Sequence, residues 1–299
     1  MIEDVLSWDL FNKGANLRKN YPPKKVELFN RLIAHTNNFF AVVGLGAFTL
    51  GYVMIVSKKL IPAFSLVEDK NLDELHWFIK IVSESVKKTY NRKVIVFEHG
   101  MCACVGGLDR AHLHLMSIDS NLDAKDIKDS INKILKVRKS GIESVEVNGH
   151  KLENIHDIQQ IMNSPDNNKY KINGKQLNFD DIQNDLEHEN WPISTREHVK
   201  RGGHYVYFNS AFKGTSFLTN KNFNTQFGRE VVFDLEVKKN LQLKKFNSEQ
   251  LEKNPYANVW KWQEFSFNEN ILETISNLKN PLTNISQDLI SKKYNYHSY

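Results

Sequence analysis

Asp109-Arg-Ala-His-Leu-His-Leu-Met116 is the stretch on which the fold turns. In a β-strand, successive side chains point to opposite faces. Arg110, His112, His114 and Met116 therefore share one face, and Ala111, Leu113 and Leu115 share the other. The apolar face belongs on a core. The opposite face sets two imidazoles and a guanidinium side by side on a rigid element, a combination that core packing gives no reason to choose.

Outward from this strand, Val94–Phe97 (VIVF) predicts a second one, joined to the first by a Gly100–Gly107 loop. Leu72–Tyr90 predicts an amphipathic helix, with Leu75, Phe78, Ile79, Val82 and Val86 at three- and four-residue steps. Asp73 and Glu74 in its first turn and Lys87 and Lys88 in its last suit the helix dipole. Phe39–Val56 holds eighteen residues without a charge, a length that raises the question of a membrane span. Gly44, Gly46 and Gly51 divide it into Phe39–Val43, Ala47–Leu50 and Tyr52–Val56, short β-prone runs that predict buried strands and a turn. Lys24–His35 predicts a helix from the spacing of Val26, Phe29, Leu32 and Ile33. Lys125–Val137 predicts another.

Residues 139–200 are polar and rich in Asn and Asp. Asn-Gly turn signals recur at Asn148-Gly149 and Asn173-Gly174, and the region reads as an insertion or cap. His204–Phe208 then predicts a strand and Phe265–Leu278 a closing helix. This order of elements predicts an α+β fold with a largely antiparallel sheet. Residues 1–120 read as a core, 121–200 as a helix plus polar insertion, and 201–299 as an aromatic extension packing on that core.

Composition bounds the function. The chain has 299 residues, 40% hydrophobic and 25% charged, so it can bury a real core, and low-complexity and collagen-like classes are excluded. A net charge of +5 permits a phosphate-bearing ligand without demanding nucleic acid. Two Cys, at Cys102 and Cys104, build no disulfide framework and suit a reducing compartment. Met1-Ile-Glu-Asp lacks the basic region of a signal peptide, so the expected location is the cytoplasm, with no membrane partner.

Three chemistries use a strand face of this kind. In phosphoryl chemistry one histidine is a nucleophile and its neighbours position phosphate. In a metal site His112 and His114 are ligands, completed by His99, Cys102 or Cys104. In the third case the histidines are half-exposed structural residues. Cys102-x-Cys104 is tighter than the usual gap of zinc sites, and Arg110 would set a cation against the metal.

The run Arg110-Ala-His112-Leu-His114-Leu-Met116 resembles the signature of the histidine-triad (HIT) superfamily of nucleotide hydrolases and transferases, His-φ-His-φ-His-φ-φ with φ apolar. The upstream order is similar as well: an apolar strand, Gly51-Tyr52, a strand ending in Ser57-Lys58-Lys59, a helix, a strand, then the triad. Phe97-Glu-His-Gly100 resembles an element of longer HIT-like proteins, and the likeness covers roughly residues 28–120.

The resemblance implies that His112 attacks the α-phosphate of a nucleotide. A backbone carbonyl near the first triad position would hold its other nitrogen, and His114 would contact phosphate oxygens. Arg110, in the first triad position, clamps phosphate but is no acid or base near neutrality. Tyr52 stands where the family often has His, Gly107 where many members have Ser, and Gly44 about where small members carry a ribose-binding Asp or Asn. His99 and Lys59 would add to the phosphate pocket. Gln226 and Arg229, in a C-terminal segment that resembles the extension of longer members, would reach it from above; His204 is a further pocket residue.

The expected function is a hydrolase or nucleotidyltransferase acting on a dinucleoside polyphosphate or nucleotide conjugate, without cofactor or metal, as monomer or homodimer. The alternative is a non-catalytic nucleotide- or RNA-binding module, nucleic acid being the less favoured partner.

Overall fold

The alternation at Leu113 and Leu115 becomes a strand in the middle of a sheet. The computed structural model describes residues 30–101, 104–105, 108–137, 142–147, 150–152, 170–174, 191–209, 215–219, 227–239 and 267–291. Its main strands are β1 (Leu32–His35), β2 (Phe39–Val43), β3 (Val53–Ser57), β4 (Lys93–Gly100), the short pair β5 (Cys104–Val105) and β6 (Leu108–Asp109), and β7 (His112–Ile118). β8 (Ile142–Val147), β9 (His150–Leu152) and β10 (Tyr170–Gly174) form a separate three-stranded sheet. β11 (His204–Asn209) and β12 (Thr215–Thr219) return to the main sheet. The helices are α1 (Leu72–Tyr90), α2 (Ala124–Val137), α3 (Arg196–Lys200), α4 (Phe227–Lys239) and α5 (Asn268–Ser291).

The main sheet runs β1-β2-β3-β7-β4-β11-β12, and each neighbouring pair is antiparallel. The fold is therefore α+β. β7, between β3 and β4, pairs Leu113 with Ile55 and Glu98, and His114 with Met54 and Phe97. Among the described residues no helix is long and apolar enough to cross a membrane, and the uncharged stretch from Phe39 folds as β2, a loop and β3.

Two expectations change. Leu32–His35 is strand β1, not the end of a helix; residues 24–29 lie outside the described residues. The ladder slips between Leu32 and Ala34, and the consecutive residues Ile33 and Ala34 are both buried. Such a bulge breaks the two-residue alternation and leaves a spacing that imitates a helix. Ala47–Leu50 belongs to the loop between β2 and β3 rather than to a strand.

Helices cover both faces. α1 packs Leu75, Phe78, Val82 and Val86 into the core and ends on Asn91 in the left-handed conformation that favours Asn or Gly. Its His76 meets the carbonyl of Trp191, whose ring stacks on Tyr207 of β11 at 4.2 Å. α4 lies on the other face, where Phe227 meets the ring of Phe208. Every residue from Phe227 to Glu236 is buried, so α4 is an interior helix, and Asp234 and Glu236 on it have polar partners. Ser130 of α2 donates to Asp234 at 2.8 Å, and Arg92 pairs with Glu236 at 2.6 Å.

Glu98 faces away from the histidines and is fully buried. It accepts from the amide of Phe64 at 2.8 Å and from the Tyr205 hydroxyl. Burial pushes its carboxyl up to about 8, against those two hydrogen bonds. The folded protein therefore keeps this proton where the unfolded chain has lost it. The resulting stabilisation is complete below the ordinary carboxylate range and disappears as pH rises through about 8. Glu98→Gln keeps the shape without the titration. Denaturant unfolding of wild type at pH 6 and pH 9 is expected to show a loss of stability, and the variant a flatter response.

Candidate functional site

β7 places His112 and His114 on the α4 side because Leu113 and Leu115 fill the α1 side. Both imidazoles are half-buried. The His112 Nδ1 lies 3.0 Å from the backbone carbonyl of Arg110. A carbonyl only accepts, so Nδ1 carries the hydrogen and the lone pair is on Nε2. Burial lowers His112 to about 4, against the raising effect of that hydrogen bond, so the ring is neutral at pH 7.

His114 is sandwiched. Phe97 stacks on it at 4.5 Å with planes 5° apart, and Tyr52 lies 5.8 Å away at 15°. The Tyr52 hydroxyl is 2.7 Å from its Nδ1. The His112 ring meets it edge-on at 4.9 Å. Burial, then His112, Arg229 and His99, hold His114 well below the usual histidine range. His99 lies on the same face, next to Phe97 along β4 and paired with Val206 of β11.

Arg229, in the first turn of α4, donates to the carbonyl of Gly46 at 2.7 Å and lies over the rings of Phe48 and Tyr52 at 5.6 and 5.8 Å. The same loop is tied by α5: Asn270 donates to the Ala47 carbonyl at 2.8 Å, and the Gly51 amide donates to the Thr274 hydroxyl at 3.0 Å. Gly51 has φ +72°, and a Cβ there would press Val86 at 2.7 Å. The chain that ends in Tyr52 is thus held by residues more than 170 positions away.

The candidate residues separate into groups. His112, His114, His99, Tyr52 and Arg229 come together on one face. Arg110 is buried, and its Nη1 donates to the Lys58 carbonyl at 2.5 Å, anchoring the start of β7 to the end of β3. Lys59 is half-exposed and paired with Glu68 at 2.6 Å. His204 is buried on β11, and its carbonyl meets the His198 ring at 2.9 Å. Gly107, Gln226 and Cys102 lie outside the described residues. Among the described residues no group of three or more His, Cys, Asp and Glu is arranged to hold a metal ion.

Two contributors escaped the sequence reading. Arg31 is buried near Tyr52 with Nη1 on the Val43 carbonyl at 2.6 Å, but it sits where a helix was expected. The sequence pattern marks Phe97 only as a strand residue, and the β4–β7 register sets it against His114. The β4–β7 pairing carries a signal for the latter, since Phe97 and His99 alternate as His112 and His114 do.

No protein-family model matches this chain, and no curated protein is significantly similar to it.

Gly228 is what lets α4 lie against this stack. A Cβ there would come within 2.3 Å of the Phe97 ring. Alanine normally improves a helix interior by about 1 kcal/mol over glycine. Here the overpacking is expected to dominate, and Gly228→Ala should lose about 1–3 kcal/mol in denaturant unfolding. Phe97→Leu in the same chain should recover part of the loss.

Proposed function

We propose that this chain is a HIT-like nucleotide hydrolase or nucleotidyltransferase, with His112 as its nucleophile. The observation that carries this reading is the Nδ1–H of His112 on the Arg110 carbonyl, which leaves the Nε2 lone pair as the reactive one. Its low basicity in the fold keeps that lone pair unprotonated at pH 7. The order β2, β3, α1, β4, β7 supports the same reading, because it follows the element order of the resemblance.

The chemistry runs in two displacements. Nε2 attacks the α-phosphorus, and the N–P bond forms as the bond to the leaving-group oxygen breaks. The leaving group departs with the electron pair. Water or another acceptor hydroxyl then attacks phosphorus and releases its proton to solvent, and the N–P bond breaks with its electron pair returning to Nε2, restoring the neutral imidazole. His114 and Arg229 face the charge on phosphate, Arg229 as a fixed cation and His114 as a neutral polar ring. Arg110 acts through the backbone, its carbonyl orienting His112 and its guanidinium holding β7 to β3. Of the chain from residue 201, β11 and β12 widen the sheet, α4 lies on the histidine face against Phe97, and α5 packs on β1 and α1 and ties the loop before Tyr52.

The test is incubation with diadenosine tetraphosphate. Wild type is expected to release mononucleotide and to show a nucleotidyl adduct by intact mass. His112→Ala should lose at least about a thousandfold in rate. Absence of both product and adduct in wild type would sink the catalytic reading, and retained binding of labelled nucleotide would then favour a binding module. A second expectation concerns pH. Protonation removes the lone pair, so the rate attributable to His112 should hold as pH falls through the ordinary histidine range and drop only toward about 4. A drop centred near 6.5 would contradict the buried, neutral nucleophile.

A further inference from the structure

We propose that Tyr52 is a positioning residue that fixes His114 in the tautomer opposite to that of His112, so that the face offers phosphate one nucleophilic nitrogen and one hydrogen-bond donor. The Tyr52 hydroxyl is buried, and its hydrogen-bond partner among the described residues is the His114 Nδ1, at 2.7 Å. Either group can in principle donate. If Nδ1 carried the hydrogen, the phenolic O–H would be buried without an acceptor, which is the costly arrangement. Donation from the phenol satisfies both groups. It places the hydrogen of His114 on Nε2.

His112 is set the other way, because the Arg110 carbonyl accepts only from Nδ1–H. Both rings therefore use Nδ1 inward, on partners of opposite character. The Nε2 of His112 accepts or attacks; the Nε2 of His114 donates. A phosphoryl group needs both: a lone pair for phosphorus and a donor for its oxygens.

The surroundings hold this arrangement in place. The His114 ring is fixed between Phe97 and Tyr52, so a ring flip must break two stacks. The Tyr52 ring in turn occupies the space above residue 44. A Cβ at Gly44 would lie 2.2 Å from it, so glycine at 44 and tyrosine at 52 are one steric unit. Burial raises the phenol, against the pull of Arg229 and Arg31, so it keeps its proton to donate.

The use of the donor rests on the phosphoryl reading above; the tautomer does not. The experiment is therefore long-range ¹H–¹⁵N NMR of the ligand-free full chain labelled in histidine, with His112→Gln and His114→Gln spectra for assignment. Wild type is expected to show Nδ1–H for His112 and Nε2–H for His114. Tyr52→Phe keeps the ring and removes the donor. It should convert His114 to a tautomer mixture, leave His112 unchanged, and weaken inorganic phosphate binding by roughly three- to tenfold. An Nδ1–H signal for His114 in wild type overturns the proposal, and that spectrum decides even if the variant does not fold. An unchanged His114 tautomer in Tyr52→Phe, or a changed tautomer with unchanged phosphate affinity, overturns it too. If the wild type binds no phosphate, the phosphoryl reading fails, while the spectra still decide the role of Tyr52.

Discussion

Leu113 and Leu115 are fully buried on the α1 side of the sheet, and that burial aims the two histidines. Each leucine removed from water is worth about 1.5–3 kcal/mol. A one-residue slip of β7 would exchange the faces, exposing both leucines to the polar site and forcing two imidazoles into the core under α1. The register His112 with Val56 and Phe97 with His114 is thus dictated by apolar packing, and the site inherits its geometry from it. No separate interaction is needed to keep the imidazoles adjacent; the pleat does so.

What the sequence made legible follows from periodicity. α1 has the predicted bounds, Leu72 to Tyr90, because an amphipathic stripe with charges matched to its dipole is a local property. β7 and its two faces were legible for the same reason. The pieces that were not legible depend on distant partners. The β1 bulge put Ile33 and Ala34 inward together, and only pairing with β2 explains that pattern. Arg229 was named from the resemblance alone, since its place beside Tyr52 needs α4 to lie flat on the sheet. Lys59 looked like pocket charge by its position after β3, but side-chain reach and a nearby Glu68 pair it at the surface instead.

Buried polar groups show the same division of labour across the sheet. On the α1 side Glu98 and Tyr205 satisfy each other and the Phe64 amide, and burial keeps the carboxyl protonated near neutrality. On the α4 side burial keeps His112 neutral, and burial, with Arg229 among the neighbours that add to it, keeps His114 neutral. Both faces therefore bury titratable groups in their uncharged forms, which avoids the cost of an unpaired interior charge. They differ in what remains open. The Glu98 cluster is closed, with both Glu98 and Tyr205 wholly buried, whereas each histidine engages the protein through Nδ1 and is only half-buried.

That difference assigns a job to the C-terminal part of the chain. Arg229, Asn270 and Thr274 all bind the loop between β2 and β3, at Gly46, Ala47 and Gly51. The loop leads directly into Tyr52, and Tyr52 touches His114. Removing α4 and α5 would free three backbone groups at once and release the segment that orients the phenol. Gly228 adds a second link, since it lets α4 press on the Phe97 ring that stacks on His114. β7 with its neighbours is enough to present two imidazoles and to orient His112, but not to fix which nitrogen of His114 faces outward. In this chain His112 is oriented locally, by a carbonyl two residues away, and His114 meets a phenol held from a distance, through a loop that the C-terminal helices tie down.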